Sequence, residues 1–450
     1  MPLSIYATNG YLVTVAALKI ESEVLNSADA RIPDISVVIP ALNEGKNVKP
    51  LLLGLKKEFA KLGLNAELII VDGGSIDQTR SEAEECGARC LLQRRLGYGG
   101  ALREGFMEAK GEYVLTLDCD MSHPPELFSR LWQERNRGDI IIGSRFIDGG
   151  TSKAPFSRKV LSRILNFVFS TVLSVPITDS SSGYRLYRRS LLTPECYQRE
   201  NFNVLQEVLI RAYCDGCSVL EIPLDYQERA AGVSHVSFVK FAVSYVPTLC
   251  RLWTLRNLTT AADYEYRTYN SHHLLQRYWI RSRVKILQKL IGLPGKLLDI
   301  GCGSSYFTVK TPNIVGLDTS AAKLRFISKL GVEAVKGNAE NLPFENESFD
   351  QVVMSQVLAY VENPVKAIEE ARRVLKTNGK LVIAVSDSGR VNWRIIGFFY
   401  SLLPNVKKQV ARNSFSRATL VDLLAENGFR ALKYNYVCSA ELILLLEKVA

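Results

Sequence analysis

The chain predicts an α/β protein built as two successive sheets. From Asp34 onward, short apolar runs alternate with stretches of helical period, the pattern of a mostly parallel sheet. Polar clusters fall at the ends of those runs, where open α/β sheets hold ligands. The alternation stops near residue 257 and restarts at Lys296, which divides the chain into an arm (1–32), a first domain (33–257), a linker (258–272) and a second domain (273–450).

Residues 1–18 carry no charged side chain but lack a basic start, so they read as a docking arm or a disordered start rather than a signal peptide. Ile35-Ser-Val-Val-Ile39 reads as a strand, 47–62 as a helix and Glu67-Leu-Ile-Ile-Val71 as a second strand. Helices follow at 81–86 and 101–109, and then the central strand Tyr113-Val-Leu-Thr-Leu117, which Pro124 and Pro125 close off. Between strand and prolines stand Asp118, Cys119 and Asp120. A spacing of two directs both carboxylates to one face, where they can converge on a hard cation such as Mg²⁺ carried with substrate phosphates.

Two later segments read as basic amphipathic helices. In 156–175, Val160, Ile164, Phe167 and Val168 share a face, with Arg158, Lys159 and Arg163 near the start. In 236–255, Phe238, Phe241 and Tyr245 share a face with Lys240 and Arg251 as charges, and Pro247 is expected to kink or break the helix. Both suit the headgroup layer of a membrane; a core-facing helix pair is the other reading. The longest uncharged apolar stretch after the arm, 164–178, falls short of the ~18–20 residues needed to cross a bilayer.

The linker is rich in Thr, Tyr, Ala and Asp. A basic helix at 274–290 reads as a solvated face, with a nucleic-acid patch or a substrate-covering helix as alternatives. Lys296-Leu-Leu-Asp-Ile-Gly-Cys-Gly303 then opens the second domain, and Asp318 ends the strand Ile314-Val-Gly-Leu317, suited to accept hydrogen bonds from a ribose diol. The third glycine of a dinucleotide fingerprint would stand at 306, which is Tyr, so NAD and FAD are disfavoured. A net charge of +10 suits anionic ligands or an acidic membrane surface; no Lys/Arg run with interleaved aromatics occurs, so no nucleic-acid partner is expected. Nine scattered cysteines fit a reduced cytosolic setting, and the pair Cys214 and Cys217 has neither a second pair nor a nearby His for zinc.

These motifs carry a resemblance. Pro40-Ala-Leu-Asn-Glu44, Asp72-Gly-Gly-Ser75, Gly97-Tyr-Gly-Gly-Ala101, Asp118-Cys-Asp120 and Gly143-Ser-Arg-Phe146 resemble, in order, family 2 glycosyltransferases of the GT-A fold. Asp179-Ser-Ser-Ser-Gly-Tyr-Arg185 and Arg229-Ala-Ala-Gly-Val-Ser234 narrow the likeness to the dolichyl (polyprenyl) phosphate mannosyltransferase-like branch. The resemblance implies that Pro40, Leu42 and Glu44 hold the base and ribose of a nucleotide sugar and that Val71 and Asp72 close the base pocket. Asp118 and Asp120, with Cys119 between them at the donor, would bind Mg²⁺ or Mn²⁺ and the diphosphate. Arg145 would meet phosphate, and Arg229 and His235 would come over the donor from a late loop. Asp120 and Arg145 are the catalytic candidates. The implied reaction is inverting hexose transfer to a polyprenyl phosphate by a peripheral protein on the cytoplasmic membrane face. Such an acceptor is already anionic near pH 7 and needs no general base, whereas a hydroxyl acceptor would need one, such as Asp179.

The second domain resembles class I S-adenosylmethionine-dependent methyltransferases, with Gly337-Asn-Ala-Glu-Asn-Leu-Pro-Phe344, Ser348-Phe-Asp350 and Glu370-Ala-Arg-Arg-Val-Leu-Lys376 in support. The likeness implies that Gly301 and Gly303 let the backbone approach the methionine portion, beside whose ammonium Asp299 lies. Asp318 would take the ribose hydroxyls, and Asn338 with Ala339 would face the adenine. The fused enzyme would methylate the sugar or the glycolipid. Gly73, His235, Ser305 and Asn338 depart from the two family patterns and motivate a third reading, a non-catalytic binding scaffold.

Overall fold

A computed structural model describes residues 32–194, 203–228, 238–292, 295–393, 395 and 411–449, with 238–244 described by backbone alone. Arg229, His235 and all of the arm but Ile32 lie outside the described residues.

The first unit runs β1 (Ile35–Ala41), α1 (Gly45–Leu62), β2 (Ala66–Asp72), α2 (Thr79–Glu85), β3 (Arg89–Leu92), α3 (Gly97–Glu108), β4 (Tyr113–Thr116), α4 (Phe128–Gln133) and β5 (Ile140–Ser144). It continues through β6 (Thr151–Ser152), α5 (Phe156–Leu173), β7 (Arg185–Arg188), α6 (Val204–Cys214), β8 (Val219–Pro223), β9 (Asp225–Tyr226) and α7 (Phe238–Arg256). Its sheet has the order β3-β2-β1-β4-β7-β5-β8, with β7 antiparallel to both neighbours. Both faces are covered, which explains the unbroken apolar runs: Val37 and Ile39 enter one core while Val38 enters the other. β6 and β9 pair in a small separate ribbon.

Next come α8 (Tyr264–Thr268), α9 (Leu274–Ile291), β10 (Leu297–Ile300), α10 (Tyr306–Lys310), β11 (Ile314–Asp318), α11 (Ala321–Ser328), β12 (Glu333–Lys336), β13 (Phe349–Ser355), α12 (Pro364–Val374), β14 (Leu375–Ser386), α13 (Arg417–Glu426), β15 (Phe429–Val437) and β16 (Glu441–Lys448). This sheet has the order β12-β11-β10-β13-β14-β16-β15, parallel as far as β14, with β16 antiparallel to both neighbours.

Three expectations change. The break at Pro247 is absent, since α7 is one helix. Packing on both sides of the proline offsets its missing N–H: the buried Tyr245 donates to the Leu165 carbonyl at 2.7 Å, and Arg251 pairs with the buried Glu207. The same contacts make the described part of α7 a core-facing helix, whereas α5 leaves Phe156 and Phe167 82% and 70% exposed. The linker 258–272 includes α8, and its Asp263 pairs with the buried Arg256 at the end of α7. The basic helix is more than a solvated face: Arg283 and Trp279 of α9 both donate to the fully buried Glu441.

Candidate active sites

The parallel register of β1 and β2 sets Pro40 opposite Val71 and Ala41 opposite Asp72, so the first two polar clusters emerge side by side. They are then laced together. Asn43 N–H donates to Ser75 Oγ, Glu44 N–H to Thr79 Oγ1, and Gly45 N–H to Asp77 Oδ2, all within 3.0 Å. Asp72 is buried and accepts from both the N–H and the hydroxyl of Ser75. Leu42 stays 39% exposed and borders Gly73, where an added Cβ would meet Gln93 Oε1 at 3.3 Å and Leu42 Cδ1 at 3.4 Å. Gly73 is therefore bordered by the Gln93 amide.

The two central aspartates follow β4. Asp120 is 5% exposed and accepts from Ser122 N–H at 3.0 Å. Met121 sits at φ 63°, an uncommon conformation for a residue with a side chain, which tightens the turn between them. Asp118 is less buried and accepts from the Tyr98 hydroxyl at 3.2 Å. Its own N–H donates to His123 Nδ1 at 3.2 Å. Gly183 is tightly enclosed: a Cβ there would lie 3.0 Å from the Tyr98 oxygen and 3.3 Å from Asp118 Oδ1. The Cys119 side chain is buried in the apolar core beneath the loop, which leaves its main chain for any contact with a donor.

Tyr98, His123 and Ser122 were not singled out from the sequence. His123 is 2% exposed and lies between the rings of Tyr184 and Tyr226; burial holds its pKa below the usual value despite nearby Asp118 and Asp120. It is neutral near pH 7, as its acceptor role requires. Burial and the Asp118 charge hold the Tyr98 hydroxyl protonated.

Arg145 makes a two-pronged pair with Asp179, Nε to Oδ2 and Nη2 to Oδ1 both at 2.7 Å, and Nη2 also reaches Ser181 Oγ at 2.7 Å. Asp179 is fully buried; burial alone would raise its pKa, but the Arg145 charge and hydrogen bonds outweigh it and hold the carboxyl below its usual value. The only arginine of the Asp179–Arg185 motif, Arg185, is structural, donating to the carbonyls of Ser180, Ser182 and Leu205.

Two carboxylates are a sparse set for a resident ion, and among the described residues no three His, Cys, Asp or Glu side chains are grouped to hold one. Their hard oxygens do fit a cation that brings diphosphate oxygens as its remaining ligands. The buried Ser122 hydroxyl, which makes no complete hydrogen bond although the Tyr226 hydroxyl is near, adds another oxygen beside Asp120.

In the second unit all six expected residues, Asp299, Gly301, Gly303, Asp318, Asn338 and Ala339, line one cavity of about 670 Å³. Gly301 has φ 67°, and a Cβ there would strike Val357 at 2.5 Å. Asp318 accepts from Gly303 N–H and Ser320 N–H, both at 2.8 Å. Asp299 Oδ2 accepts from the Thr308 hydroxyl at 2.5 Å, and burial pushes its carboxyl up to about 7. Asn338 Oδ1 accepts from Glu340 N–H. Ile280, Arg283, Val284 and Leu287 of α9 also line the cavity.

The family profile described as "Glycosyl transferase family 2" matches residues 36–193, and "Methyltransferase domain" matches 298–383. A polyprenol monophosphomannose synthase of Mycolicibacterium smegmatis is 33% identical over 45% of this chain and 80% of that protein. A dolichol-phosphate mannosyltransferase of Pyrococcus furiosus is 32% identical over 44% of this chain, which spans only 58% of that relative's length. Among solved structures, a SAM-dependent methyltransferase of Thermotoga maritima is 27% identical over 41% of this chain and 95% of its own, with a TM-score of 0.35. By its profile match and its likeness to the monophosphomannose synthase, together with the ordered motifs, the chain belongs to glycosyl transferase family 2, and it carries a methyltransferase domain behind that unit.

Proposed function

We propose that the chain transfers a hexose from a nucleotide sugar to a polyprenyl phosphate, with inversion and with Mg²⁺ or Mn²⁺, at the cytoplasmic face of a membrane. The observation that carries this reading is the way Asp118 and Asp120 are held at the end of β4 by Tyr98, His123 and Ser122. A bound divalent ion would supply charge stabilisation for the departing nucleoside diphosphate. The chain's own residues prepare that role. Neutral His123 adds no positive charge to compete with a cation, and protonated Tyr98 donates to Asp118 and holds it in position. Arg145, held rigidly by Asp179, presents a cation where phosphate charge develops. Pro40, Leu42, Glu44, Val71 and Asp72 hold the nucleoside end, and Arg229 and His235, outside the described residues, are assigned to the donor by the family resemblance alone.

A hydroxyl acceptor with Asp179 as base is the weaker reading, because Asp179 is fully buried and both its oxygens accept from Arg145. A decayed scaffold is also weaker, since the glycine turns and Asp318 keep an open cavity. The second unit binds S-adenosylmethionine and methylates the sugar or glycolipid in this account.

Incubation with labelled nucleotide sugars, polyprenyl phosphate and Mn²⁺ is expected to yield chloroform-soluble label; no label with any common donor contradicts the reading. Among the described residues no helix is long and apolar enough to cross a membrane. The exposed face of α5, with Arg158, Lys159 and Arg163 near its start, is the proposed membrane contact. Phe167→Ser is expected to weaken binding to anionic vesicles about tenfold, consistent with the ~1.5–3 kcal/mol of burying a phenyl group, without changing the melting temperature. Unchanged vesicle binding would remove α5 from the account.

A further inference from the structure

The segment between the two sheets builds part of the second cavity. Fully buried Arg256 at the end of α7 forms a two-pronged pair with Asp263, and Ala262 N–H donates to the Cys214 carbonyl at 2.7 Å. Two residues beyond Asp263, Glu265 crosses to the methyltransferase unit. Its Oε2 accepts from the Ser304 hydroxyl at 2.6 Å and from Ser304 N–H at 3.3 Å, and its Oε1 pairs with Lys323 Nζ. A Cβ placed on Gly303 would lie 3.3 Å from Glu265 Cδ, so the carboxylate stands against the bare side of the glycine turn. Tyr269 stacks flat on Tyr306 at 3.6 Å and steadies this arrangement. With Glu265 in its wall the cavity still measures about 670 Å³, within the ~300–1,000 Å³ of small-molecule sites. The glutamate lines the space and does not plug it.

We propose that Glu265 and Lys323 receive the zwitterionic amino-acid end of the methyl donor, Glu265 taking the ammonium and Lys323 the carboxylate. The assignment rests on the S-adenosylmethionine reading of the cavity. An ion pair meeting a zwitterion can exchange partner for partner, so no charge is left uncompensated. Asp299, which the family likeness sets beside the ammonium, is 2% exposed and its Oδ2 is engaged by Thr308, whereas the Glu265 side chain is 34% exposed. Donor binding thus depends on a residue outside the methyltransferase sheet, on a segment clamped to the glycosyltransferase unit by Arg256 and Asp263.

Calorimetry on the full chain with S-adenosylmethionine and with 5′-methylthioadenosine, which keeps the nucleoside but lacks the amino-acid end, tests this. Glu265→Gln preserves side-chain size and is expected to weaken S-adenosylmethionine at least tenfold while leaving methylthioadenosine within about twofold. Lys323→Met is expected to produce the same split. Unchanged or tighter S-adenosylmethionine binding by Glu265→Gln overturns the proposal and leaves the cavity reading standing. Equal weakening of both ligands also overturns it, since that marks a structural role. If the unsubstituted chain binds neither ligand, the cavity reading fails and the proposal falls with it.

Discussion

Asp120→Asn is expected to lower sugar transfer about 10³-fold, roughly 4 kcal/mol, while leaving S-adenosylmethionine binding unchanged. The substitution keeps the shape of the side chain and an oxygen for Ser122 N–H, so the turn through Met121 survives. It removes half the negative charge offered to the cation at the moment diphosphate charge develops. Initial rates at saturating Mn²⁺ and calorimetry on the same preparation check the two halves. A loss under tenfold would remove Asp120 from the reaction, and joint loss of transfer and S-adenosylmethionine binding would contradict two independent sites.

Asp179→Ala is expected to cost about 3–5 kcal/mol of stability, because it strands the Arg145 guanidinium, whose side chain is only 16% exposed, without its partner. Urea unfolding at pH 7 reads the loss. The pH dependence has a definite sign. The folded-state pKa of Asp179 lies below its unfolded value of about 3.9, so its contribution is present above that pH and disappears as pH falls through the folded value. The gap between variant and unsubstituted protein should therefore close only in strong acid. A variant of full stability that loses transfer would instead favour Asp179 as a base for a hydroxyl acceptor.

Much of the fold was legible because its strands are buried on both faces: Ile35–Ala41, Ala66–Asp72 and Leu297–Ile300 are apolar runs that end in polar clusters. The paired aspartates and the glycine turn at Gly301 were legible for the same reason, since each directly follows such a strand. The supports of the site were not. Tyr98 reaches Asp118 from the start of α3, and His123 accepts from the Asp118 N–H only because the turn through Met121 folds back. Both are products of tertiary approach, without a periodic signal. The two amphipathic helices illustrate a different limit. α5 and α7 carry similar stripes, yet Tyr245 is covered by α5 while Phe167 is left open, and a stripe does not say what covers it. Composition likewise does not show that Asp263 pairs with Arg256 at the end of α7 or that Glu265 reaches Lys323 of α11.

Anomalous scattering from a crystal grown with Mn²⁺ and a nucleoside diphosphate decides whether Asp118 and Asp120 hold a metal together. One manganese peak is expected in the first unit, ligated by carboxylate oxygens of Asp118 and Asp120 and by oxygens of the diphosphate. A diphosphate bound in the cleft with both carboxylates bare, or a manganese ion held elsewhere, would contradict a shared metal site.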